Sequence, residues 1–146
     1  IYTLNNELYA SGSNQYGHLG FKEGLHDDDQ LFKHQQVSTA FLGKNEIINQ
    51  ISSTETTTLF LSNKGLIYHT SGKDIGAPTL LNMNNDNIPI VKISCGLHHC
   101  LFLDQKQSLI TYGKNYYGES HCNKDVKTVE IPTIYPYFRD KQFQIK

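Results

Sequence analysis

The chain has 146 residues, of which 38% are hydrophobic and 18% are charged, and its formal net charge at pH 7 is −1. This composition is typical of a folded protein and not of a disordered one. The near-neutral charge argues against a broad electropositive surface for nucleic acid, and no stretch approaches the roughly 18 apolar residues of a membrane span. Residues 1–20 also lack the charged start and apolar centre of a signal peptide.

The first predicted element is a short strand from Leu8 to Ser11, which a glycine-rich turn over residues 12–20 follows. Residues 21–44 are expected to form a long solvated linker that contains three consecutive acids, at positions 27–29. Consecutive carboxylates lack the spaced ligands and the glycine of an EF-hand loop, so they do not favour a calcium site.

The second segment covers residues 46–76, and a connector rich in Pro and Asn follows at 77–87. The third segment, residues 88–118, has the clearest pattern and predicts three short strands. In its middle strand Leu101 and Leu103 alternate with Phe102, which places both leucines in the predicted core. Residues 119–141 form the next connector, where two prolines argue against a central strand. Its aromatic residues would either pack on a neighbouring repeat or contact a partner, and packing is favoured because exposed aromatic patches are uncommon on monomers.

The segments repeat one another. Residues 51–61 align without a gap on residues 93–103, and five of these eleven positions are identical. The step from Leu8 to Gly12 recurs from Leu109 to Gly113. A period of roughly 40 to 60 residues indicates a solenoid, a propeller or another repeat array.

Two motifs carry a resemblance to a known family. Residues 12–20, Gly-Ser-Asn-Gln-Tyr-Gly-His-Leu-Gly, resemble the glycine-asparagine turn of the regulator of chromosome condensation repeat, and residues 93–103 resemble its Cys-Gly-x-x-His strand pair. The resemblance implies an all-β fold of four-stranded antiparallel β-propeller blades, seven in the complete family ring. The predicted repeat pieces are 1–45, 46–87, 88–141 and 142–146, about two complete repeats plus two partial ones. Because seven repeats of this period need roughly 350 residues, we expect the chain to be a fragment of a larger propeller.

The resemblance also implies a set of structural repeat residues, and its turn glycines are expected to supply positive φ angles. These residues are Gly12, Asn14, Gly17, Gly20, Gly72, Gly76, Cys95, Gly96, His99, Gly113, Asn115 and Gly118. The middle copy is degenerate, since Ser53, Thr54 and Thr57 stand where the family has Cys, Gly and His. The chain has no tryptophan, although the family usually places one before the turn glycine.

Six residues have the side-chain types of zinc ligands. They are Cys95, His98, His99, Cys100, His121 and Cys122. Neither a Cys-x-x-Cys nor a His-x-x-x-His pair is present, and the resemblance gives Cys95 and His99 packing roles, so we predict no metal and no cofactor. The odd number of cysteines does not make a disulfide framework and favours a reducing cytoplasmic or nuclear setting.

Enzymatic chemistry is not predicted either. A cysteine nucleophile beside His98 or His99 would need a third, orienting group, and the sequence suggests none. The glycine turns are followed neither by a helix nor by Gly-Lys-Ser/Thr, so they do not match a phosphate-binding loop.

Two functions from different classes remain. The first, which we predict, is a non-enzymatic scaffold that binds a protein partner through its loops. The candidate partner contacts are Asp27, Asp28, Asp29, Tyr116 and Tyr117. The second, also implied by the resemblance, is a guanine-nucleotide exchange factor for a small GTPase such as Ran, which would stabilise the nucleotide-free GTPase. A wedge loop inserted in one blade would favour the second function, and the acids at 27–29 do not match a wedge motif.

Overall fold

A computed structural model of the chain describes residues 1–17, 19–20, 30–71, 74–83, 87–120 and 125–135. Within these ranges the chain forms ten β-strands and no helix, and thus no helix that could cross a membrane. The strands make three antiparallel sheets in which sequential strands are neighbours.

The first sheet has two strands, β1 (Leu8–Ser13) and β2 (Gln30–Val37). The second sheet has four strands, β3 (Ile48–Ser53), β4 (Thr58–Ser62), β5 (Ile67–Ser71) and β6 (Asp74–Leu80). The third sheet also has four, β7 (Ile90–Cys95), β8 (His99–Asp104), β9 (Leu109–Lys114) and β10 (Thr128–Ile134). The prediction of an all-β fold with four-stranded antiparallel sheets is confirmed, while the residue bounds of the four repeat pieces stay a prediction.

The last strand of each sheet lies in a stretch that the sequence predicts as a linker or connector. β2 falls inside residues 21–44, β10 inside 119–141, and β6 extends into 77–87. These strands pair along one edge only, so they carry a weaker alternation of apolar and polar residues than a central strand. Pro132 is accommodated because β10 is such an edge strand and its register with β9 shifts between Val129 and Thr133. The linkers are therefore shorter than predicted.

The central strands of the sheets are covered on both faces. In β4, Leu59 and Leu61 pack in a core cluster with the third sheet, whereas Phe60 packs in a second cluster with the first sheet. Successive side chains of a strand point to opposite faces, so one strand contributes to both clusters. The sheets thus stack face to face as successive layers.

The same geometry corrects the predicted core of β8. Leu103 is buried, but Leu101 is only half-buried, and the fully buried residue is Phe102 between them. Phe102 is on the face of β8 that packs on the second sheet, together with Ile93 and Ile110. The sequence pattern located the strand correctly and assigned its most buried face to the wrong side chains.

The buried carboxylate of Glu46, just before β3, contacts three separate parts of the second sheet and the loop before it. Glu46 accepts hydrogen bonds from the Gly43 backbone N–H at 2.9 Å and from the Tyr68 hydroxyl at 3.2 Å, and the Lys64 ammonium lies 3.8 Å away. Burial by itself would raise the pKa of Glu46, but hydrogen bonds from Ser62, Gly43 and Tyr68 and the charge of Lys64 outweigh burial and hold the pKa below its ordinary value.

This arrangement makes stability depend on pH. Because the pKa of Glu46 is lower in the folded than in the unfolded chain, the carboxylate stabilises the fold above about pH 4.5, and this contribution is lost as the pH falls through the folded-state pKa. We expect Glu46→Gln to lower the free energy of unfolding by about 1 to 3 kcal/mol at pH 7 and by clearly less at acidic pH. Urea unfolding at several pH values measures this difference, with Glu130→Gln on the exposed surface of β10 as the control. A loss for Glu46→Gln that is the same at pH 7 and at pH 3 would contradict this role.

Candidate interaction surface

The loops at one end of the second and third sheets meet and form a continuous surface. The Glu55 backbone N–H donates to the Leu97 carbonyl at 2.9 Å, which joins the β3–β4 loop to the β7–β8 loop. The Lys114 N–H donates to the His98 carbonyl, also at 2.9 Å, which joins the β7–β8 loop to the end of β9. We call residues 54–57, 96–98 and 114–119 the loop face.

The loop face borders a cleft of about 250 Å³. Threonines at 54, 56 and 57 line its second-sheet side, while His98, His99, Cys100 and Tyr112 are among the residues that line its third-sheet side. The His98 Nδ1 atom lies 3.2 Å from the Glu55 Oε2 atom, so these two polar side chains meet across the two sheets.

The loop face exposes three large side chains. Leu97 is 66% exposed, Tyr116 is 56% exposed and Tyr117 is 94% exposed. Close to them, Glu119 accepts a hydrogen bond from the Tyr117 N–H at 2.8 Å. Hydrogen bonds from the Glu119 and Tyr117 backbone, with smaller contributions from His99 and His98, keep the pKa of the Glu119 carboxyl below its ordinary value. An apolar centre with charged groups around it is the usual arrangement of a protein-binding surface.

Two asparagines give the loops beyond β1 and β9 a fixed shape. The Asn14 side-chain oxygen accepts from the Leu19 N–H at 2.8 Å, and the Asn115 side-chain oxygen accepts from the Ser120 N–H at 2.9 Å. Asn115 also donates through Nδ2 to the Val126 carbonyl at 2.8 Å. Both asparagines are buried, and each bonds a residue five positions ahead, so the same local interaction orders both loops.

The predicted motif glycines have different roles. Positive φ angles occur at most of the turn glycines, namely Gly12, Gly17, Gly20, Gly113 and Gly118. Gly96 has no positive φ, but a Cβ atom there would lie 2.6 Å from the His99 imidazole. Glycine at 96 therefore provides space for the ring of His99. Gly76 lies within β6 and not in a turn.

Several other predicted residues fall outside the described ranges. These are Gly72, Asp27, Asp28, Asp29, His121 and Cys122. Among the residues that the structure does describe, no group of three His, Cys, Asp or Glu side chains is arranged to hold a metal ion.

Sequence reasoning did not identify the contacts between the first strands of the second and third sheets. The Gln50 side chain of β3 donates to the Ile93 carbonyl at 2.6 Å and accepts from the Ile93 N–H at 2.9 Å. Ser52 accepts from the Cys95 N–H at 3.0 Å. These polar residues flank Ile51 in β3, so in sequence they look like solvent-facing positions and carry no signal of their role.

Four-stranded antiparallel sheets that stack face to face, with their first strands side by side, are the blades of a β-propeller. Residues 90–119, which contain β7 to β9 and the Asn115 turn, match the family model for the regulator of chromosome condensation (RCC1) repeat. The human E3 ubiquitin-protein ligase HERC2 is 27% identical over 150 residues, which cover 96% of this chain and 3% of HERC2. The RCC2 homolog of Danio rerio is 26% identical over 141 residues, which cover 88% of this chain and 27% of that protein.

Solved structures agree in fold. Yeast RCC1 (Prp20) in its crystal structure with Kap60 gives a TM-score of 0.76 at 21% identity, over 91% of this chain and 34% of that one. Human WBSCR16 gives a TM-score of 0.71 at 17% identity, over 86% of this chain and 34% of that one. Residues 90–119 thus match one RCC1 repeat, and the sheets have the blade architecture of the RCC1 propeller. The chain spans about a third of these structures and less of the two relatives.

The role of Gln50 can be tested by a substitution of similar size. Gln50→Leu removes both hydrogen bonds that the Gln50 side chain makes to the Ile93 backbone. We expect the free energy of unfolding to fall by about 2 to 4 kcal/mol, because the buried N–H and C=O of Ile93 are left unpaired. Urea unfolding measures the loss, and Asn49→Leu on the neighbouring exposed position is the control. If Gln50→Leu changes stability by less than about 0.5 kcal/mol, the contact does not hold the two blades together.

Alanine substitutions at two glycines can distinguish the stability cost of a positive φ angle from the cost of a steric clash. Gly113 and Gly118 both have positive φ, but a Cβ at Gly113 would lie 2.5 Å from the His98 carbonyl oxygen, whereas nothing lies within 4 Å at Gly118. We expect Gly118→Ala to cost about 1 to 2 kcal/mol for the backbone angle alone. Gly113→Ala should cost about 3 kcal/mol or more, because the His98 backbone must also move. Equal losses in thermal or urea unfolding would show that the close approach of His98 is unimportant.

Proposed function

We propose that this chain supplies part of a non-enzymatic protein-interaction scaffold and that the loop face is its contact surface. The observation that carries this proposal is the exposure of Leu97, Tyr116 and Tyr117 together on loops of fixed shape. Tyrosines are enriched at protein interfaces, where they supply apolar area together with a polar hydroxyl.

The backbone around these side chains is already ordered. Asn115 holds the loop that carries Tyr116 and Tyr117 through three hydrogen bonds, to Ser120, Val126 and Lys127. The Leu97 carbonyl is fixed by Glu55 of the adjacent blade. A surface that is ordered before binding loses little conformational entropy when a partner docks, which favours a binding role for this end of the blades.

The reactive side chains near the loop face have partners that suit a structural role. The Cys95 thiol lies in hydrogen-bonding contact with Cys100 and Ser52. The His99 ring packs over Gly96. Neither arrangement pairs a thiol with an imidazole as nucleophilic catalysis requires, and a scaffold needs no such pair. The free thiols of Cys95 and Cys100 also fit a cytoplasmic or nuclear protein.

Guanine-nucleotide exchange is the alternative. It is favoured by the fold likeness to yeast Prp20p, whose crystal structure was described with its binding properties to Gsp1p and histones; the TM-score is 0.74 at 21% identity. The two functions differ in one assay. A scaffold leaves the release of labelled guanine nucleotide from a Ran-type GTPase at its intrinsic rate, whereas an exchange factor accelerates that release strongly. If the full-length protein accelerates nucleotide release, exchange replaces the scaffold as the proposed function.

The scaffold proposal predicts that partners are lost when the tyrosines are removed. We expect Tyr116→Ala/Tyr117→Ala in the full-length protein to reduce the recovery of specific co-purifying proteins by about tenfold or more, because interface aromatics each contribute on the order of 1 to 2 kcal/mol. Quantitative mass spectrometry after affinity purification measures the recovery.

The matched control is Leu4→Ala. Leu4 is a fully exposed apolar residue in the turn that precedes β1, at the opposite end of that strand from the Asn14 turn. Wild type and Leu4→Ala should recover the same partners. Equal recovery by the double tyrosine variant would contradict a contact role for the loop face, and so would an equal loss in the Leu4→Ala control.

A further inference from the structure

Two cysteines face each other at the loop end of the β7–β8 hairpin. Cys95 is the last residue of β7, and its register partner in β8 is Cys100. Both are free thiols, Cys95 half-buried and Cys100 buried, and their side chains are in hydrogen-bonding contact. The hairpin therefore holds two sulfur atoms together without a bond between them.

The hydrogen-bond pattern shows which kind of strand pair this is. The Cys95 N–H points away from β8 and donates to the Ser52 hydroxyl of the neighbouring blade at 3.0 Å. The next pair towards the tip is hydrogen-bonded, since the Gly96 N–H donates to the His99 carbonyl at 2.8 Å. Cys95 and Cys100 therefore form a non-hydrogen-bonded antiparallel pair, in which the Cα atoms are typically about 4.5 Å apart. That distance lies within the range of roughly 4.4 to 6.8 Å that disulfides span.

The preceding blade provides an internal comparison. At the same place in its first hairpin, Ser53 of β3 is the register partner of Thr58 of β4, and the two hydroxyl oxygens are 3.2 Å apart. Side chains at this pair of positions thus meet in both blades. The second blade carries hydroxyls there, which cannot be joined by oxidation, and the third blade carries thiols, which can.

The two thiols are not equivalent in their ionisation. The hydrogen bond from Cys100 lowers the pKa of Cys95 and outweighs the opposing effect of burial, and Ser52 adds to this lowering. The same contact raises the pKa of Cys100. Cys95 is therefore the thiol that ionises first and acts as nucleophile, which leaves Cys100 as the resolving thiol. Cys95 is only half-buried, so a small oxidant reaches the thiol that reacts first from solvent.

We propose that Cys95 and Cys100 are a redox-modification site, at which a peroxide converts the two thiols into a reversible cross-strand disulfide. The Cys95 thiolate attacks one peroxide oxygen and breaks the O–O bond, which gives a sulfenic acid and, after protonation of the leaving oxygen, one water from hydrogen peroxide. The Cys100 sulfur then attacks the Cys95 sulfur, the S–O bond breaks, and the hydroxyl leaves as a second water with the Cys100 proton. Two thiols are oxidised to one disulfide, and one peroxide is reduced to two waters.

The disulfide would act on the interface between the blades. The hairpin that it closes bears the Leu97 carbonyl and the His98 imidazole, both of which contact Glu55 of the neighbouring blade. A covalent link beside the loop restricts the opening of this end of the hairpin and so holds these contacts in place. This inference goes beyond the scaffold proposal, because the thiol pair reacts whether or not the loop face binds a partner.

Peptide mapping of the oxidised full-length protein tests the proposal. Trypsin cleaves after Lys92 and Lys106, so both cysteines lie in one peptide, residues 93–106, while Cys122 lies in another. After treatment of the native protein with hydrogen peroxide and alkylation with iodoacetamide, we expect peptide 93–106 to carry no alkyl group and to be about 2 Da lighter than the reduced peptide, because two hydrogens are lost. Dithiothreitol added before alkylation should restore two alkylation sites.

Cys95→Ser/Cys100→Thr is the matched control, since it reproduces the hydroxyl pair of the preceding blade. This variant should keep the fold and show no loss of mass in peptide 93–106 after peroxide. Cys122→Ser should leave the wild-type result unchanged.

Three results would overturn the proposal. The first is full alkylation of both Cys95 and Cys100 after peroxide. The second is a sulfinic or sulfonic acid on Cys95 beside a free Cys100, and the third is a link from either residue to Cys122. In the second case Cys95 would be reactive but not resolved by its partner, and in the third the register of the hairpin would not direct the pairing.

Discussion

The first strand of each blade leaves one edge of its backbone unpaired, and the way in which this edge is satisfied determines how the blades join. On β7, the Ile93 N–H, the Ile93 carbonyl and the Cys95 N–H point away from β8, and Gln50 and Ser52 of β3 bind all three. Unpaired backbone groups on a strand edge otherwise invite pairing with another chain. Side chains of one blade thus take the place of a further strand along this edge of the next blade.

Burial on both faces follows from this stacking. A blade between two others has no solvent face, so β4 directs Leu59 and Leu61 to one neighbour and Phe60 to the other. The outer strands are different, because they pair on one side only and are partly exposed. This difference explains why a proline is accommodated in β10 and why polar residues are frequent in β2. The outer strand of a blade is therefore more exposed and more polar than its central strands.

The loop face depends on the same contacts. Glu55 links the β3–β4 and β7–β8 loops across the blade boundary, and Asn115 fixes the loop that carries the two exposed tyrosines. A binding surface formed in this way has a rigid backbone with a few large exposed side chains, which suits recognition of another protein. The Cys95–Cys100 pair lies beneath that surface, where a change in oxidation state would reach both the hairpin and the blade boundary.

The sequence alone determined the fold class and the local motifs, because these depend on short-range patterns. Alternating apolar residues predicted the strands from 91 to 112, and the asparagine and glycine of each turn predicted loops that the structure orders through Asn14 and Asn115. Tertiary structure decided which face of β8 is most deeply buried, where the outer strands lie, and that Gln50 and Ser52 join two blades. Those features depend on what the neighbouring blade supplies, and the residues that supply it are some forty positions away in the chain. A local pattern shows that a residue is polar, but only the assembled blades show that its partner is the backbone of the next repeat.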